Sequence, residues 1–121
     1  MSVSYTGQSR CKKIYLKSLL NQVKEHEIPI YISDDSTNNK TKDIIRKYMN
    51  EYDFLFYKQN NPSLGHDSNI VQSLLNKSSE SVWLLGDSTV IADGAINQVI
   101  KIIRSFSPNI IVCNSRDRIL D

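Results

Sequence analysis

Residues 82–96 read VWLLGDSTVIADGAI, and this stretch decides the fold class. The apolar run 82–85 stops abruptly at Gly86 and Asp87, and a helix signal follows within a few residues. A short apolar run bounded by turn residues predicts a strand buried on both faces of a sheet. In open α/β sheets, ligands bind just beyond the carboxyl ends of such strands. Asp87 is therefore a candidate site residue. Asp93 is the expected N-cap of the next helix, whose apolar face is Ile96, Val99, Ile100 and Ile103.

Working outward, strand and helix signals alternate along the chain. Strands are expected over 2–5, 28–33, 54–58, 82–85 and 110–113. Ile14, Leu16, Leu19, Leu20 and Val23 recur at helical spacing and predict an amphipathic helix over 12–24. Ile44, Ile45, Tyr48 and Met49 mark a second helix, and Ile70, Val71, Leu74 and Leu75 a third. Polar turn clusters, SSES at 78–81 among them, separate the elements. The expectation is an α/β fold of the form (βα)₄β, with a mostly parallel sheet and helices on both faces. Trp83 and Cys113 are expected in the core.

The chain has 121 residues, a length that predicts one domain spanning 1–121. Fifteen basic and 13 acidic residues leave a net charge of +2, which argues against a nucleic-acid footprint of clustered Lys and Arg. Cys11 and Cys113 are far apart, and no His or Cys cluster has zinc spacing. Two lone thiols, no hydrophobic leader and no apolar run near the ~20 residues of a membrane span predict a cytoplasmic domain. The tail 116–121 closes no element, so the chain reads as a piece of something longer.

The expected strands end in polar groups. One ends at Ser33-Asp34-Asp35-Ser36, the next at Asn60-Asn61, and the fourth at Gly86-Asp87-Ser88-Thr89. In a parallel sheet these ends share a rim. Carboxylates there accept hydrogen bonds from ribose hydroxyls or a base N–H, and they bind Mg²⁺ or Mn²⁺. Four widely spaced glycines exclude both GxGxxG and the P-loop.

The order of four segments resembles the nucleotide-sugar-binding half of GT-A glycosyltransferases of family 2. They are SVSYTGQSR before YLKSLL, then IYISDDSTNNKT, then NNPSLGHDSNI, and finally VWLLGDSTVIADGAI. The third is similar to the family's Asn-x-x-Gly-x-x-x-Asn loop at Asn61, Gly65 and Asn69, with one insertion. The resemblance implies a GT-A, Rossmann-like domain that binds a nucleoside diphosphate sugar. It would serve transfer to a saccharide or lipid-linked acceptor, in the cytoplasm and peripherally at the inner face of the membrane. Asp35 matches the family's base-contacting position, with Asp34 beside it. Thr6 would lie near the nucleotide, Asn61 in the same site, and Asp87 against the ribose or a divalent metal. Ser88 and Thr89 stand where the family has further carboxylates. Neutral hydroxyls hold a divalent cation far more weakly, which puts the Mn²⁺ or Mg²⁺ site in doubt. The family's acceptor site and catalytic base lie downstream, so no catalytic residue is assigned in this chain.

Blander readings stay open at each position. Asp34 and Asp35 could form an Asx turn before a helix. Asp87 could be a capping residue, and Asn60, Asn61 and Asn69 turn or cap residues. A phospho-receiver domain is the alternative from another class. It would take Asp87 as phosphoryl acceptor, Asp34 and Asp35 as Mg²⁺ ligands, and Ser115 as the hydroxyl after the last strand.

Overall fold

A computed structural model describes residues 1–7, 12–75, 79–86 and 89–114. Four strands alternate with four helices. They are β1 (Ser2–Gly7), α1 (Lys12–Val23), β2 (Ile30–Asp34), α2 (Lys40–Met49), β3 (Leu55–Gln59), α3 (His66–Leu75), β4 (Val82–Gly86) and α4 (Ala95–Phe106). The sheet order is β3-β2-β1-β4, and every pairing is parallel. The expected parallel α/β architecture is present.

Each helix forms for a visible reason, and three of them share one layer. Leu16, Leu19, Leu20 and Val23 of α1 are buried, the i, i+3, i+4, i+7 stripe of an amphipathic helix. α2 buries Thr41, Ile45 and Tyr48, and α4 buries Ile96 and Val99. α1 touches both α2 and α4. Their stripes meet Val3, Ile30, Ile32, Leu55 and Leu85 from the sheet in one apolar cluster. Tyr52 closes its lower end, donating its hydroxyl to the Ile28 carbonyl at 2.6 Å. Burial pushes that phenol up to about 12. Tyr52→Phe is expected to cost about 1–2 kcal/mol in urea denaturation, because the buried carbonyl loses its donor.

α3 packs on the other face. Side chains alternate along a strand. Val3 belongs to the α1 cluster, while Ser4 turns to α3 and donates to the Ser73 carbonyl at 2.9 Å. α3 is inverted for a surface helix. Its buried residues are Asn69 and Ser73, while Val71, Leu74 and Leu75 are exposed.

Several expectations need correction. Among the described residues β4 lies at the edge of the sheet and is not buried on both faces: Val82 and Leu84 are exposed and Trp83 is half-buried at the margin of the core. Residues 110–113 form no strand. Ile110 and Val112 are 81% and 90% exposed, and Cys113 is exposed rather than in the core. Among the described residues no strand pairs with this segment, and an apolar run without a hydrogen-bonding neighbour gains nothing from strand geometry. Asp93 is not the N-cap of α4. Gly94 takes that place with φ +78°, and the cap comes from α1, where Gln22 Oε1 accepts the Ile96 N–H at 3.3 Å. Gln22 Nε2 also donates to the Ala92 carbonyl at 3.0 Å.

Candidate functional site

Parallel pairing brings the carboxyl ends of all four strands to one rim. Gly7 pairs with Asp34, Asp34 with Gln59, and Thr6 with both Ser33 and Gly86. With strands spaced about 4.8 Å apart, the ends of β2 and β4 lie roughly 10 Å from each other across the end of β1. Thr6 thus sits between the two polar strand ends. Asp87 follows the last residue of β4 in sequence, and Asp87, Ser88 and Ser115 lie outside the described residues.

The period of two along β2 sends its adjacent aspartates to opposite faces. Both are buried, at 0% and 2% exposure. Asp34 turns to the α1–α2 face. Its Oδ1 accepts the Ser36 N–H at 3.0 Å, the Asx turn left open by the sequence, and its Oδ2 accepts the Tyr57 hydroxyl at 2.6 Å. Burial and the Asp34 charge push the Tyr57 phenol up. Gln59 pins the following turn by donating to the carbonyls of Ser36 at 3.0 Å and Asn38 at 2.9 Å.

Asp35 turns to the α3 face and gathers the loop after β3. Oδ1 accepts the Leu64 N–H at 2.7 Å and Asn60 Nδ2 at 3.1 Å. Oδ2 accepts the Ser63 hydroxyl at 2.6 Å and the Gly65 N–H at 2.9 Å. Burial alone would raise its pKa. The four donors outweigh burial and hold it below the ordinary 3.8. Gly65 has φ +84°, a conformation that glycine adopts without a Cβ penalty. Its carbonyl accepts the Asn69 N–H in the first turn of α3, and the Asp35 charge sits before that helix's N-terminus, where the dipole favours it.

Behind Asp35 lies a buried amide network. Asn60 Nδ2 also donates to Asn69 Oδ1 at 2.8 Å. Asn69 Oδ1 accepts the Ser33 hydroxyl at 2.5 Å, and Asn69 Nδ2 donates to the Ser33 carbonyl at 3.3 Å. Asn60 is buried, whereas Asn61, the residue matched in the sequence, is exposed in the loop. The structure therefore brings Asp34, Asp35 and the backbone of Thr6 to the rim, with Asn61 at its margin. Sequence reasoning missed Tyr57 and Ser63, and it placed Ser33 and Asn60 at strand ends without selecting them as site residues. One signal was available for Asn60. It directly follows β3, its N–H extends the ladder to the Asp34 carbonyl at 2.8 Å, and alternation then puts its side chain on the Asp35 face.

Among the described residues no group of three or more His, Cys, Asp or Glu side chains could hold a metal. No helix of the described residues is long and apolar enough to cross a membrane. The sheet order also removes the receiver alternative. That fold, of order 2-1-3-4-5, sets the acidic-pair strand directly beside the acceptor strand. Here β1 lies between β2 and β4.

The model of "Glycosyl transferase family 2" matches residues 13–121. The chain is similar to the abequosyltransferase RfbV of Salmonella typhimurium, with 28% identity over an alignment of 102 residues, covering 79% of this chain and 31% of that protein. Its fold is similar to that of S. aureus TarS residues 1–349, with a TM-score of 0.65 and 21% identity, covering 88% of this chain and 33% of that one. The chain thus spans about a third of the length of either relative. With the family model covering nearly the whole sequence and a parallel α/β sheet of matching fold beneath it, this chain belongs to glycosyl transferase family 2.

Proposed function

We propose that this chain is the donor-binding part of a glycosyltransferase and binds a nucleoside diphosphate sugar at the rim between β2 and β4. The observation that carries the proposal is the buried Asp35 carboxylate, held ionised at the carboxyl end of β2. An ionised carboxylate at such a rim accepts the N–H of a nucleobase more strongly than a protonated acid does. The nucleotide extends from Asp35 past Thr6 towards β4, where Asp87 meets the ribose. The acceptor, a saccharide or a lipid-linked saccharide, and the catalytic base belong to residues outside this set. The cytoplasm, at the inner face of a membrane, is the proposed location.

A divalent ion would rest on Asp87, with Ser88 and Thr89 offering only hydroxyls. This donor set does not make a strong site for Mn²⁺ or Mg²⁺. Calorimetry with UDP tests both points. UDP is expected to bind, and its affinity in Mn²⁺ and in EDTA is expected to differ by less than roughly threefold. A folded protein without UDP binding refutes the donor-site reading. A metal dependence beyond roughly tenfold refutes the weak-metal reading.

A further inference from the structure

The loop after β3 fills every acceptor position on Asp35. A carboxylate offers about four lone-pair sites, and Leu64 N, Asn60 Nδ2, Ser63 Oγ and Gly65 N take all of them. A base that donates an N–H to this carboxylate must therefore displace one donor. We propose that Ser63 is an affinity-determining residue, whose hydroxyl occupies the Asp35 Oδ2 position that the imide N–H of a pyrimidine base takes when the donor binds. This inference rests on the donor-site reading above.

The four donors differ in how easily they yield. Leu64 and Gly65 donate from the main chain, in a turn fixed by the positive φ of Gly65 and by the Asn69 N–H on its carbonyl. Asn60 is buried and is also held by Asn69. Ser63 is exposed, and its hydroxyl swings away by rotation about a single bond. The exchange is balanced. One O–H···O⁻ bond breaks, one N–H···O⁻ bond forms, and the freed hydroxyl passes to water. The Ser63 hydroxyl is thus a latch, and the base works against it.

The test is calorimetric titration of the 121-residue chain with UDP and with UDP methylated at N3, which lacks the imide N–H. Ser63→Ala is expected to bind UDP roughly three- to tenfold tighter than wild type, the worth of one net hydrogen bond. Ser63→Thr keeps the hydroxyl and is expected to retain wild-type affinity. N3-methyl-UDP is expected to gain nothing from Ser63→Ala. Unchanged or weaker UDP binding by Ser63→Ala, with wild type binding normally, overturns the latch and leaves the donor site standing. An equal gain for both nucleotides overturns the assignment to the imide. Absence of UDP binding by every folded variant overturns the donor site and the latch together. Denaturation midpoints establish that each variant is folded.

Discussion

Asp35→Ala is expected to destabilise the domain by about 2–4 kcal/mol and to remove UDP binding. The size follows from the partners left behind. The carboxylate is 2% exposed and accepts four hydrogen bonds. Hydrogen bonds to a charged group are each worth about 1.5–3 kcal/mol net. Their sum overstates the loss, because the Ser63, Leu64 and Gly65 donors reach water once the loop loosens. Asn60 is the partner that water reaches least, being buried. Asp35→Asn is a sharper version of the experiment. It keeps the shape but faces an NH₂ towards donors, so it is expected to cost nearly as much as alanine. Urea denaturation checks both, and a loss below about 1 kcal/mol for alanine would mean that the loop is held by something else.

The same carboxylate gives the stability a direction in pH. Its folded pKa lies below the ordinary 3.8. A group with a depressed folded pKa contributes stability fully above its unfolded pKa and loses it as pH falls towards the folded one. The gap between wild type and Asp35→Ala is therefore expected to hold constant from pH 7 down to about 5. Below about pH 4 it narrows. A gap that instead widens on acidification would contradict an ionised Asp35 in the folded state.

What the sequence made legible follows from what is local. Helical spacing at Leu16, Leu19, Leu20 and Val23, and at Ile96 and Val99, located α1 and α4 and their buried faces. The acidic turn at the end of β2 could be read because strand ends in parallel sheets share an edge. The misses all depend on long-range partners. VWLLG has the composition of a central strand, yet among the described residues β4 lies at the edge, and composition does not record which strands pair. Residues 110–113 have strand-like residues, but among the described residues no strand bonds to them. Asp93 looked like the cap, but Gln22, far away in sequence, reaches the Ile96 N–H first. α3 misled in the opposite sense. The spacing of its apolar residues marks the helix, yet Val71, Leu74 and Leu75 are exposed, whereas Asn69 and Ser73 face inward to meet Ser33, Asn60 and Ser4. Choosing Asn61 over Asn60 is a shift of one residue, and in an extended chain one residue is the difference between the two faces.

Asn69 carries the second large expectation. Asn69→Ala is expected to cost about 2–3 kcal/mol in urea denaturation and to weaken UDP binding, although the residue sits behind Asp35 and is 3% exposed. The substitution removes the acceptor shared by the Ser33 hydroxyl and the Asn60 amide, and the donor to the Ser33 carbonyl. Two buried donors are then left to find new partners where water has little access. Asn69→Leu separates this effect from simple loss of volume. Leucine fills the space but satisfies neither donor, so it is expected to be no better than alanine. If leucine restored stability, packing would be the residue's role and the amide network incidental. Coupling is the second signature. Asn60 and Asn69 bond directly, so the double alanine variant should lose less than the sum of the single losses, by about 1 kcal/mol. The effect on UDP follows along the same chain of bonds, because Asn69 holds Asn60 and Asn60 holds Oδ1 of Asp35. A variant that loosens the first link leaves the carboxylate chemically intact but less firmly held at Oδ1, so the affinity falls with no change in the groups that would touch the nucleotide.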